Sequence, residues 1–124
     1  MFVHGKEVHF LLTVGSTRAI AKLCPDNNIS NIGLVFEGKS TDKMIDTIAE
    51  LSAAMSQGYE DQQKYIQQNY VPNPITKEEI LTLTIPELEE LQNELMKEIG
   101  VGMETEIEAE PEKSKGKKNE KVTQ

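Results

Sequence analysis

The stretch STDKMIDTIAELSAAM, residues 40–55, decides the fold. Met44, Ile45, Ile48, Leu51 and Met55 recur at spacings of three and four, so one side of a helix becomes apolar and must be covered. Ser40, Thr41 and Asp42 are cap candidates before that pattern. No other segment has so regular a face, which makes this the expected core helix. Its continuation from Tyr59 to Asn69 is more polar but keeps a narrow apolar face of Tyr59, Ile66 and Tyr70, and Gly58 marks a candidate break or kink. Pro72-Asn73-Pro74 stops the pattern.

Two helix starts follow. Thr76 is a cap, Glu79 closes a capping box, and Ile75 can staple to Ile80. Eight residues later Thr84 and Glu87 repeat the box, Leu83 can staple to Leu88, and Pro86 is tolerated in the first turn. The helix so begun is expected to run to about Ile99, with Leu88, Leu91, Leu95, Met96 and Ile99 on one face. Gly100 or Gly102 is expected to end it. From Met103 the chain reads METEIEAEPEKSKGKKNEKVTQ, with too little apolar surface to offset ordering entropy, so residues 103–124 are expected to be disordered.

Towards the N-terminus, Ile32 to Phe36 is a short apolar run bounded by Asn31 and Gly38, with a lean towards strand. The Cys24-Pro25-Asp26-Asn27-Asn28 stretch is a loop. Ala19, Ile20 and Leu23 suit a short helix capped by Ser16 or Thr17 and running to about Leu23. Met1 to His4 and Glu7 to Thr13 suit a β-hairpin about Gly5-Lys6. The expected fold is α+β and mostly α-helical: a short N-terminal β-hairpin followed by a helical bundle, residues 1–102, and then the disordered tail.

Thirteen Lys and Arg against 21 Asp and Glu give a formal charge of -8 among 124 residues. A chain of that sign repels phosphate backbones and anionic lipid, so neither nucleic acid nor membrane is an expected partner. The Lys-rich segment Lys113 to Lys121 is interleaved with glutamates and is read as a solvating tail. Cys24 is the one cysteine, which excludes an internal disulfide and a multi-cysteine zinc site and suits a reducing compartment. With no signal-like or spanning segment in view, a cytoplasmic protein is expected and the Asn28-Ile29-Ser30 sequon is a chance match.

Catalytic signals are weak. His4 and His9 could form a metal pair only if Glu7 joined them, and Cys24 could be a nucleophile only if a histidine approached it. Glu78, Glu79, Glu87, Glu89 and Glu90 sit near first helical turns, where the helix dipole accounts for them. Gly33, Gly38, Gly58, Gly100 and Gly102 are too dispersed for a phosphate loop. No catalytic residue, metal or cofactor is expected. Apolar faces remain: the Tyr59, Ile66, Tyr70 stripe and the methionine-bearing stripes of Met44, Met55 and Met96, since methionine adapts to varied partners. Met55, Tyr59, Ile66, Tyr70, Leu91 and Leu95 are the candidate partner-binding residues.

Gly5-Lys6-Glu7-Val8-His9-Phe10 is a hairpin of the form Gly-Lys-acidic-apolar-x-apolar. It leads into Arg18-Ala19-Ile20-Ala21-Lys22-Leu23, then a long helix and a closing Glu/Leu-rich helix. This order resembles the tail assembly chaperones of long-tailed bacteriophages and of prophages in Gram-positive hosts, over roughly residues 1–100. The Pro25-Asp26-Asn27-Asn28 loop has no counterpart in that pattern. The resemblance implies a protein of the host cytoplasm, absent from the mature virion, that binds tape measure protein and tail tube protein until the tube polymerises. Binding through apolar helix faces and self-association into a homo-oligomer are the expected mode of action. That family often makes a longer product by programmed frameshifting, and Lys117-Lys118-Asn119 are residues that an A-rich slippery heptamer could encode. The alternatives are a small adaptor or regulatory protein that binds one folded partner and a small hydrolase using Cys24 with His4 or His9.

Overall fold

The computed structural model describes the backbone of residues 1–109 and the side chains of residues 1–102. The expected α+β, mostly helical architecture is present: a two-stranded antiparallel hairpin followed by helices. Strand β1 is Phe2–Val3 and β2 is Lys6–Glu7, with Phe2 opposite Glu7 and Val3 opposite Lys6. The turn is centred one residue earlier than the sequence suggested. His4 and Gly5 carry φ of 50° and 82°, the positive pair that a two-residue hairpin turn requires for its strands to keep their twist. The second strand is also shorter than expected. Pairing continues in register to Met1 opposite Val8, where the Val8 amide bonds Met1 O at 2.7 Å and the Met1 ammonium donates to Val8 O at 3.1 Å; beyond it the Leu11 amide turns to Met55 O at 3.2 Å.

Helix α1 spans Val14–Ala21 and begins before the expected caps. Thr13 Oγ1 accepts from the Ser16 amide at 3.0 Å while Ser16 Oγ accepts from the Thr13 amide at 2.7 Å. That reciprocal box satisfies two amides at once, where Ser16 or Thr17 as cap would leave the first turn unmade. Ser16 is buried, and its hydroxyl donates to Leu11 O at 2.9 Å.

The strand expected at Ile32 to Phe36 is absent. Residues Ile29–Leu34 form a 3-10 helix capped by Asn28, whose side chain accepts from the Ser30 amide at 2.9 Å. The local cap competes with an extended conformation, and no sheet edge reaches these residues to supply ladder bonds. Val35 is buried, and Ile29, Ile32 and Phe36 lean on the core.

Helix α2, Thr41–Ile66, runs 26 residues without a break at Gly58. It is the pillar of the fold: α1 packs on it, as do α3 (Lys77–Ile80) and α4 (Ile85–Ala109). Both C-terminal capping boxes form. Thr76 and Glu79 bond reciprocally at 2.8 and 3.2 Å, and Thr84 and Glu87 do so at 2.9 and 3.4 Å. Ile75 and Ile80 are both buried, as a staple requires.

Neither Gly100 nor Gly102 ends α4. Neither has positive φ, and Gly102 lies against Leu12, which a β-carbon there would approach to 2.5 Å. Met, Glu and Ala in residues 103–109 are good helix formers, so the backbone stays helical to Ala109. The rest of the segment expected to be disordered lies outside the described residues. The core gathers Val3, Val8, Phe10, Ile20, Leu51, Met55, Ile75, Ile80, Leu91, Leu95 and Ile99. Each such side chain contributes roughly 1.5–3 kcal/mol on burial.

Candidate functional site

The first turn of α1 rests directly on α2 at Gly58. A β-carbon there would lie 2.8 Å from Thr13 Oγ1 and 3.0 Å from both Ser16 Cβ and Ser16 Oγ. No side chain separates the helices at this point, and an open groove of about 490 Å³ lies alongside. Small residues line it from both helices: Gly15, Ser16 and Ala19 on α1, and Ala54 and Gly58 on α2. Two large apolar side chains also line it, Val14 at 90% exposure and Tyr65 at 89%. Asp61 and Gln57 line the α2 side, joined by a 2.8 Å hydrogen bond from Gln57 Nε2.

Gln62 lines this groove and also a second cavity of about 250 Å³, walled by Met1, Val8, Phe10, Tyr59, Glu94 and Glu98 among others. His9 lines it too, its ring 4.6 Å from that of Tyr59, and its Nε2 is 3.2 Å from a carboxylate oxygen of Glu7.

Beyond the end of α2 the chain is strapped back onto the helix. Glu60 is buried at 5% exposure, and its Oε1 accepts from Tyr70 Oη at 2.7 Å and from the Asn73 amide at 2.9 Å. Ser56 Oγ accepts from the Ile75 amide at 2.9 Å. The hydrogen bond to the Glu60 carboxylate, with desolvation behind it, pushes the Tyr70 phenol up to about 12.

The candidate binding residues therefore separate. Met55, Leu91 and Leu95 are each 0% exposed, because the apolar faces of α2 and α4 are spent on one another and on the hairpin; as surface contacts they are corrected to core. Tyr59 is half-buried beside His9, and Tyr70 has left the helix to bond Glu60, so the Tyr59, Ile66, Tyr70 stripe is not one face. Ile66, the last residue of α2, is 66% exposed. Val14 and Tyr65 were missed, although Ala54, Gly58, Asp61 and Tyr65 follow at spacings of four, three and four.

Cys24 is buried, its thiol donates to Ile20 O at 3.4 Å, and burial raises its pKa, which keeps the poorly nucleophilic thiol form. His4 Nε2 is 2.7 Å from Thr82 Oγ1, so both imidazoles have other partners. Among the described residues no three His, Cys, Asp or Glu side chains are placed to hold a metal ion, and no helix is long and apolar enough to cross a membrane. No protein-family model matches the chain, and comparison with curated proteins and with solved structures returns no match.

Proposed function

We propose that this chain is a non-catalytic tail assembly chaperone that holds an apolar-faced helical segment of tape measure protein in the groove between α1 and α2. The observation that carries the binding role is the pairing of Val14 and Tyr65, exposed at 90% and 89%, with a groove of small residues. Small side chains let a guest helix approach closely, and two exposed apolar side chains give it anchors that water otherwise surrounds. The formal charge of -8 favours solubility of the complex through self-repulsion. Tape measure protein as the guest, and tail tube protein as a second one, rest on the sequence resemblance over residues 1–100.

Co-expression with a candidate tape measure protein tests the proposal. The wild-type chain is expected to raise the soluble yield of that protein, and Val14→Asp with Tyr65→Asp is expected to abolish the rise without changing the melting temperature of the chain. An unchanged yield with wild type would reject the chaperone role, and one tight complex with a folded partner would then favour an adaptor.

A further inference from the structure

The cavity beside the groove points to the kind of side chain the guest carries. We propose that it receives an arginine of the bound helix, so that the preferred guest is a basic amphipathic segment; this rests on the groove as the docking site. Gln62 borders both spaces, so a helix lying over Val14 and Tyr65 can extend one long side chain past it. Met1, Val8 and Phe10 wall the cavity where its methylenes would lie, and Tyr59, with the His9 ring 4.6 Å away, is the aromatic group within reach of a planar cation.

Glu94 and Glu98, one helical turn apart on α4, both line the cavity. Neither carboxylate makes an ion pair or hydrogen bond among the described residues. The Met1 ammonium keeps its charge while donating to Val8 O at 3.1 Å, and Glu7 pairs with His9, so the two carboxylates of Glu94 and Glu98 against one ammonium leave the cavity negative. A guanidinium is the cation that can stack on Tyr59 and still present paired donors to a carboxylate, which an ammonium cannot do.

The test uses the full-length chain and two synthetic amphipathic helical peptides of about 20 residues. They share one leucine stripe and differ only in Arg or Gln at the positions flanking it. Fluorescence anisotropy at low salt should show the Arg peptide binding about tenfold more tightly, with the advantage shrinking as salt screens the exposed charges. Glu94→Gln with Glu98→Gln should remove that advantage and leave the Gln peptide's affinity unchanged. Glu89→Gln with Glu90→Gln changes net charge equally but should leave the advantage intact. Equal binding of the two peptides overturns the arginine pocket while the groove stands, as does an advantage that either double variant erases alike. If neither peptide binds, the groove itself is rejected and the pocket with it.

Discussion

Replacing Gly58 and Gly100 by alanine, one at a time, sets two identical substitutions in very different surroundings. Both glycines lie inside helices, where Gly→Ala by itself gains up to about 1 kcal/mol. At Gly100 nothing lies within 4 Å of the new methyl group, so that gain should be realised. At Gly58 the methyl group would meet Thr13 Oγ1 at 2.8 Å and Ser16 Cβ at 3.0 Å. Thr13 is held by the capping box and Ser16 Cβ moves only with its backbone, so the first turn of α1 must retreat from α2. Overpacking of this kind costs roughly 1–3 kcal/mol, and a weakened cap adds about 1 kcal/mol. After the helix gain is set against them, Gly58→Ala should fall about 1–3 kcal/mol below wild type. For a domain of this size each kcal/mol moves the melting temperature by roughly 4–8 °C, so thermal melts and urea titrations resolve the two variants. A rise in Gly58→Ala matching that in Gly100→Ala would refute the contact between α1 and α2. A loss in Gly100→Ala would show that α4 stops at a glycine cap after all.

Leu95→Ala empties a fully buried position and should cost about 2–5 kcal/mol, whereas Ile66→Ala, at a residue 66% exposed, should stay within about 0.5 kcal/mol; similar losses in urea titrations would contradict their placement. The Glu79 carboxyl is held below its ordinary value of 4.5, chiefly by the hydrogen bond from Lys6 and then by the Thr76 amide. A carboxyl with a depressed folded pKa adds stability above its unfolded value and loses it as pH falls through the folded one. The urea midpoint should therefore drop as pH goes below about 4.5, and less steeply in Glu79→Gln; equal slopes would remove Glu79 from the account. Cys24 should react slowly with a disulfide reagent in the native protein and quickly in denaturant. Fast native reaction near neutral pH would restore the hydrolase alternative.

Much of the helical scaffold was legible because its signals are local. Thr76 with Glu79 and Thr84 with Glu87 bond within one turn of backbone, so four residues suffice to specify each start. The spacing of Met44, Ile48, Leu51 and Met55 likewise demands a covered face whatever covers it. Two of the errors lie where local signals competed. Thr13 with Ser16 outbid Ser16 or Thr17 as a lone cap, and the Asn28 cap outbid a strand at Ile32 to Phe36.

The candidate site was legible only in part. Ranking residues by apolar character selected Met55, Leu91 and Leu95, which are apolar because they are core. The groove is instead formed by residues without much side chain, whose role is to be thin where α1 crosses α2, and thinness has meaning only once the crossing partner is known.

The sequence by itself therefore determined the helix starts at Thr76 and Thr84, the apolar face of α2, the mostly helical class and the sign of the surface charge. Each follows from bonds and periodicities spanning a few residues. Only the tertiary structure decided that Gly58 is a contact and not a kink, that Tyr70 folds back onto a buried Glu60, and that Val14 and Tyr65 are left standing in water. Those outcomes depend on which surfaces meet across dozens of intervening residues, and burial is a property of the pair that meets and of neither segment alone.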